Sequence, residues 1–219
     1  MGGSILRKLV IIGASGHGKV IADIALKNQY EKIIFLDDDD TIMECAGFPV
    51  KGTTEDIEKY LFWDFIVAIG EANVRKKIFD KLELKSCNIV SLIHPKAIIS
   101  RRVQIEKGTV IMAGAIINSD TKVGKGCIVN TGASVDHDGI IQDFVHISVG
   151  AHVAGSVHIG LKTWVGAGAI VLNNLNICNE CMIGAGAVVI DDINIKGTYI
   201  GVPAKLLVKE TSYEKSSLN

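Results

Sequence analysis

Three groups of residues in this 219-residue chain have the types and spacing that chemistry requires. The first is Asn130-Thr131-Gly132-Ala133-Ser134-Val135-Asp136-His137-Asp138, where an imidazole stands between two carboxylates. A carboxylate beside a histidine raises its basicity and fixes its tautomer, the arrangement of a general base. On residue types alone the triplet also reads as an inert surface cluster. The second group is the loop Gly13-Ala14-Ser15-Gly16-His17-Gly18, which follows the apolar run Leu9-Val10-Ile11-Ile12. Glycines there let backbone N–H groups approach an anion at a helix N-terminus. Ser15 stands where the dinucleotide fingerprint G-x-G-x-x-G has its middle glycine. That weakens a nicotinamide reading and leaves either a nucleotide or phosphate site, with Ser15 and His17 as polar contacts, or an ordinary tight turn. Asp37 and Asp38 close the next apolar run, where an acidic residue can accept from a ribose hydroxyl or a base N–H. As part of a run of four aspartates they also read as a solvated turn. The third group is His146, His152 and His158, spaced by six.

The elements that must position these residues change in kind near residue 90. From Ile93 every sixth residue is Ile or Val: Ile93, Ile99, Ile105, Ile111, Ile117, Val123, and so on through Val189 to Ile195. Four places after each comes a second column, mostly small, which runs Ala97, Val103, Thr109, Ala115 and contains Cys127 and Cys181. A period of six fits neither an amphipathic helix nor strand alternation. It fits a left-handed parallel β-helix, a triangular coil with one hexapeptide per face, the β-branched residue pointing inward and the small one at the bend. Eighteen hexads make about six coils. The interior is filled by aliphatic ladders, so function sits on the outside or between neighbouring prisms. Val135 and Gly139 take inward positions, which leaves Asp136, His137 and Asp138 at a corner and the outer face. Successive hexads occupy different faces, so His146, His152 and His158 point in three directions and cannot share one metal within a single chain.

The first ninety residues alternate instead: strand Leu9–Ile12, a helical pattern through Val20, Ile21, Ile24 and Ala25, strand Lys32–Leu36, strand Phe65–Gly70, and a charged helix over Ala72–Leu84. That order implies a small parallel α/β sheet with a Rossmann-like start. The expected division is a Rossmann-like domain over 1–90, the coil over 91–208 and a flexible tail over 209–219.

Composition narrows the classes. The net charge of −1 argues against a polyanion-binding surface and hence against nucleic acid. No apolar run approaches the ~18 residues of a membrane span, and no signal sequence opens the chain, so a cytoplasmic protein with five reduced cysteines is expected. The repeat accounts for Cys181 within Cys178-x-x-Cys181, and there is no second such motif for a zinc site.

The chain closely resembles the bacterial sugar O/N-acyltransferases of the sialic-acid and bacillosamine type. Among these it looks most like the PglD-like UDP-4-amino-sugar N-acetyltransferases. The resemblance runs from about Lys8 to Lys209 and is carried by Ile12–Gly18, Phe35-Leu36-Asp37-Asp38, Ala68-Ile69-Gly70, Asn130-Thr131, His137-Asp138, His146–Ala151 and Gly201-Val202-Pro203-Ala204-Lys205. It implies that His137 is the base acting on the sugar amine, tuned by Asp138 where the family often has glutamate. It also implies that His146 lies near the acetyl-CoA thioester or the reacting amine, supplied by a neighbouring subunit, and that Ala167 and Ala185 line the pantetheine groove. Ser15, Gly16, His17, Asp37, Asp38 and Gly70 would hold the nucleotide half of the donor, with Asn130 also on the substrate side. A homotrimer with inter-subunit sites, acetyl-CoA as co-substrate and no metal complete the implication. No serine or cysteine is obviously paired with a base, which favours direct transfer to the amine. O-acetyl transfer to a sugar hydroxyl and a non-catalytic nucleotide-sugar scaffold are the alternatives. A zinc enzyme is a remote fourth.

Overall fold

The computed structural model describes residues 6–208. The tail expected over 209–219 lies outside the described residues. The first region runs β1 (Lys8–Ile12), α1 (Gly16–Lys27), β2 (Lys32–Leu36), a hairpin of β3 (Glu44–Cys45) and β4 (Phe48–Pro49), a 3₁₀ helix (Thr54–Tyr60), β5 (Asp64–Val67), α2 (Ala72–Leu84) and β6 (Asn88–Ile89). Its sheet has the order β2-β1-β5-β6 with every pair parallel. A parallel sheet covered on both faces calls for near-continuous apolar strands. The runs Leu9–Ile12 and Ile33–Leu36 are accordingly all buried.

From Leu92 to Val189 two-residue strands recur every six residues, and as far as Ile170 each pairs in parallel with the strand eighteen residues later. Examples are Val110 with Ile128, Ile128 with His146, and His146 with Trp164. The strands sort into three sheets, the three faces of a β-helix of about six turns. The first face carries Leu92, Val110, Ile128, His146, Trp164 and Met182 outward. The second carries Ile98, Ile116, Ser134, His152, Ile170 and Val188, and the third Gln104, Lys122, Ile140, His158 and Asn176. The inward column from Ile111 to Val189 is buried throughout, and Cys127 and Cys181 are buried in the small column as expected. Hydroxyls in that column are satisfied within the coil: Thr121 Oγ1 donates to the Asp136 carbonyl at 2.7 Å.

The six-residue series breaks once. Ile195 was expected inward, but it is 65% exposed, and Ile193 fills the interior instead. The last turn is two residues short because Ile193 bridges to Ile177 and Asp192 accepts from Asn176 N. Among the described residues no further strand stacks below Ile193 on this face to hold the final hexad in register.

The α/β region rests on the first face. Leu92, Val110 and Ile128 share a buried cluster with Ala14, Ile21 and Leu9, while Phe144 packs edge-on against Phe79 of α2. Among the described residues no helix is long and apolar enough to cross a membrane.

Candidate active site

His137 stands at the corner between the second and third faces, with its side chain 58% exposed. Asp136 and Asp138 hold it in different ways. Asp138 Oδ2 lies 2.8 Å from His137 Nδ1, while Asp136 Oδ1 accepts from the His137 backbone N–H at 2.8 Å and from Asn118 Nδ2 at 2.8 Å. Asp138 occupies the left-handed backbone region (φ 56°), where aspartate is among the better-tolerated residues. Its short side chain still reaches the ring. The Asp138 hydrogen bond raises the His137 pKa above the ordinary histidine range, with the Asp136 charge adding to it. With Nδ1–H donating to the carboxylate, the lone pair sits on Nε2.

His146, nine residues on, is the opposite case. It lies on the first face, buried, stacked on Trp164 with ring centroids 4.7 Å apart. The Trp164 indole N–H donates to Ser148 Oγ. Thr131 N donates to Asn130 Oδ1, so the Asn130 amide turns its NH₂ to His146 Nε2 at 3.2 Å. Nε2 therefore accepts, and the proton of the neutral ring is on Nδ1, which is buried with no hydrogen-bond partner among the described residues. Burial, then the charge of Arg75, pushes the His146 pKa down to about 3.

Across the seam stands the glycine loop. Gly13 has φ 111°, and a Cβ there would come within 2.8 Å of the Ala68 carbonyl; a Cβ on Gly18 would strike the Gly13 carbonyl at 2.3 Å. Those two glycines serve the fold, whereas the Cβ positions of Gly16 and Gly70 face open space. Helix α1 starts at Gly16, its Ser15 N-cap makes no side-chain cap, and no acidic residue occupies its first turn. Its N-terminal N–H groups and the Ser15 hydroxyl are thus available to an anion. His17 Nε2 is buried without a partner among the described residues, and burial followed by Arg75 lowers its pKa to about 4.

The two aspartates divide their work. Asp37 accepts from Ala14 N at 2.6 Å and lines a cavity of about 390 Å³ with Met43, Val50, Lys51 and Thr53. Asp38 instead accepts from Thr54 N at 2.8 Å and from Thr54 Oγ1 at 3.2 Å, tying down the start of the 3₁₀ helix.

Arg75 was read in sequence only as part of a charged helix. It is 1% exposed and donates to four carbonyls: Ile69 and Gly70 on one side of the seam, Gly126 and Phe144 on the other. Its register held the signal, because it shares one helical stripe with Ile78, Phe79 and Leu82 at i+3, i+4 and i+7.

The structure does not bring His137 and His146 together in one chain, since the corner of one lies across the prism from the face of the other. His146, His152 and His158 do fall on three faces, as their spacing requires. Ala167 and Ala185 are exposed and stacked one coil apart, at the corner between the first and second faces. One Ser–His pair that sequence did not reveal is present: Ser134 Oγ lies 2.8 Å from His152 Nδ1. The two are register partners on the second face and do not touch His137.

Residues 8–82 match the family model described as the PglD N-terminal domain. Over 115 residues the chain is 37% identical to the UDP-N-acetylbacillosamine N-acetyltransferase of Bacillus subtilis (strain 168), a match covering 49% of this chain and 52% of that protein. It thus spans about half the length of that curated relative. Solved structures align over far more. The acetyltransferase domain of PglB from Neisseria gonorrhoeae FA1090 in complex with acetyl coenzyme A is 40% identical with a TM-score of 0.89, covering 92% of this chain and 99% of that one. A perosamine N-acetyltransferase mutant from Caulobacter crescentus, in complex with CoA and GDP-perosamine, is 33% identical with a TM-score of 0.88, covering 94% and 99%.

Proposed function

The chain belongs to the PglD-like family of bacterial sugar acyltransferases, and from that premise we propose that it transfers acetyl from acetyl-CoA to the amine of a UDP-linked 4-amino sugar. The observation that carries this reading is the His137 ring: Nδ1 is tied to Asp138 and Nε2 keeps its lone pair at an exposed corner. An amine attacks a thioester only when neutral. Nε2 takes the amine proton as the C–N bond forms, the C–S bond then breaks, and the imidazolium returns the proton to the departing thiolate. A positioned base contributes ~10²–10⁴-fold, and aligning both substrates contributes more. Transfer is direct, since no serine or cysteine side chain hydrogen-bonds to the His137 ring among the described residues.

The buried His146 Nδ1–H suits the acetyl carbonyl or the oxyanion that forms from it. As His146 lies across the prism from His137, the two histidines of one site come from neighbouring copies, in the homotrimer that the family resemblance implies. The second face supports such packing, with Ile98, Ile170, Leu172 and Ile190 exposed on it. Ala167 and Ala185 mark the corner along which pantetheine runs, with Asn130 beside the reacting groups. The donor's diphosphate meets Ser15, Gly16 and His17 at the start of α1 and the backbone around Gly70. Its base occupies the Asp37 cavity, and Asp38 fixes the wall of that cavity through Thr54. An acetyl-CoA-dependent step belongs to the cytoplasm, where the thioester is made.

The test is to supply acetyl-CoA with UDP-, dTDP- and GDP-4-amino sugars and follow thiol release. The UDP sugar is expected to be the best acceptor, and a clear preference for GDP would overturn the choice of base. Release with a free sugar alcohol alone would favour O-acetyl transfer.

A further inference from the structure

Gly155 follows His137 by eighteen residues and lies directly beside it on the next coil. Ser156 N donates to the His137 carbonyl at 2.9 Å, and Asn174 N to that of Gly155 at 3.0 Å, so three coils are locked at this corner. Gly155 is buried although the corner faces solvent, because the imidazole covers it. A Cβ built on Gly155 would stand 2.6 Å from His137 Nε2, 2.7 Å from Cε1 and 3.2 Å from Cδ2.

The turn itself does not ask for glycine here. Gly155 is not among the residues with positive φ; the left-handed position of this corner is Ser156, at φ 58°. An alanine would suit the backbone, and the nearest atoms it would meet all belong to His137. We propose that Gly155 is a positioning residue for the transfer step, a flat seat that fixes where His137 Nε2 points. The proposal rests on the reading of His137 as the base.

Ordinary carbon contacts are ~3.5–4.0 Å, so a methyl at Gly155 displaces Nε2 by about 1 Å. A misplacement of that size costs on the order of 10²-fold in rate. Gly155→Ala is therefore expected to lower kcat by about that factor, with KM for acetyl-CoA and for the sugar nucleotide unchanged and thermal stability undiminished. The charged groups facing the ring are Asp138 and Asp136. A ring pushed off Asp138 titrates lower, so the acid limb of the kcat profile and the His137 Cε1–H NMR titration both move to lower pH.

In a His137→Ala background, Gly155→Ala is expected to change the residual rate less than twofold. A kcat within about threefold of wild type with an unmoved titration overturns the proposal, as does a further large loss in the His137→Ala background. If His137→Ala alone retains full activity, the base reading fails instead, and the NMR titration still reports whether Gly155 seats the ring.

Discussion

His137 and His146 sit nine residues apart in the same repeat and are built for opposite conditions. At the corner, an exposed ring hydrogen-bonded to a carboxylate has its pKa raised. At the seam, a buried ring stacked on Trp164, with the cation Arg75 and His17 nearby, is driven down to about 3. The backbone ladder around both is the same, with each strand paired to the strand eighteen residues on. The lattice fixes position, and what covers the position decides the chemistry. One ring is held basic enough to take a proton, whereas the other remains a neutral donor.

The contrast breaks first on His137. Replacing it with Ala is expected to cut kcat by ~10²–10⁴-fold with near-normal folding, read by thiol release beside a thermal melt. Activity near wild type would remove the corner from the mechanism.

Acid should weaken the seam. His17 and His146 have folded pKa values near 4 and 3 against 6.5 for a free histidine. The unfolded chain therefore takes up protons first as pH falls. Stability is fully present above about pH 6.5 and declines by roughly 1.4 kcal/mol per pH unit for each histidine until the folded pKa is reached. Urea melts at pH 7 and pH 5 test this, and equal midpoints would refute it.

Arg75→Met leaves four carbonyls without their donor, and an expected loss of about 3 kcal/mol falls on the seam rather than on the coil. Calorimetry should show the α/β region melting earlier; an unchanged single transition would mean the four bonds contribute nothing.

The mildest change sharpens the comparison. Asp138→Ala removes the bond to Nδ1 while leaving Nε2 free, so roughly a tenfold fall in kcat is expected, with the acid limb of the pH profile shifted to lower pH. A limb that stays in place would mean that Asp138 does not set the basicity of His137.

Sequence carried the coil almost whole, because a period of six tests the same hypothesis at every turn; it failed at Ile195, where no strand of a further coil among the described residues enforces it. The His137–Asp138 pair was legible for a local reason, since adjacent residues at one corner must meet. The seam was not, for it depends on contacts between residues far apart in the chain. Asp37 and Asp38 look alike in sequence, yet one lines a cavity and the other holds Thr54. Arg75 was masked by Lys76 and Lys77, whose charges made the helix look solvated on every side.

The eighteen-residue register has one more consequence. Neighbouring coils lie about 4.8 Å apart, and the corner column of Ser119, His137, Gly155 and Asn173 repeats with that spacing. A base carried on such a column can be relocated along the prism only in whole steps, with no intermediate setting. The coil works as a coarse ruler, and any finer adjustment of reach toward a longer or shorter acceptor falls to the α/β region and the four carbonyls by which Arg75 holds it in place.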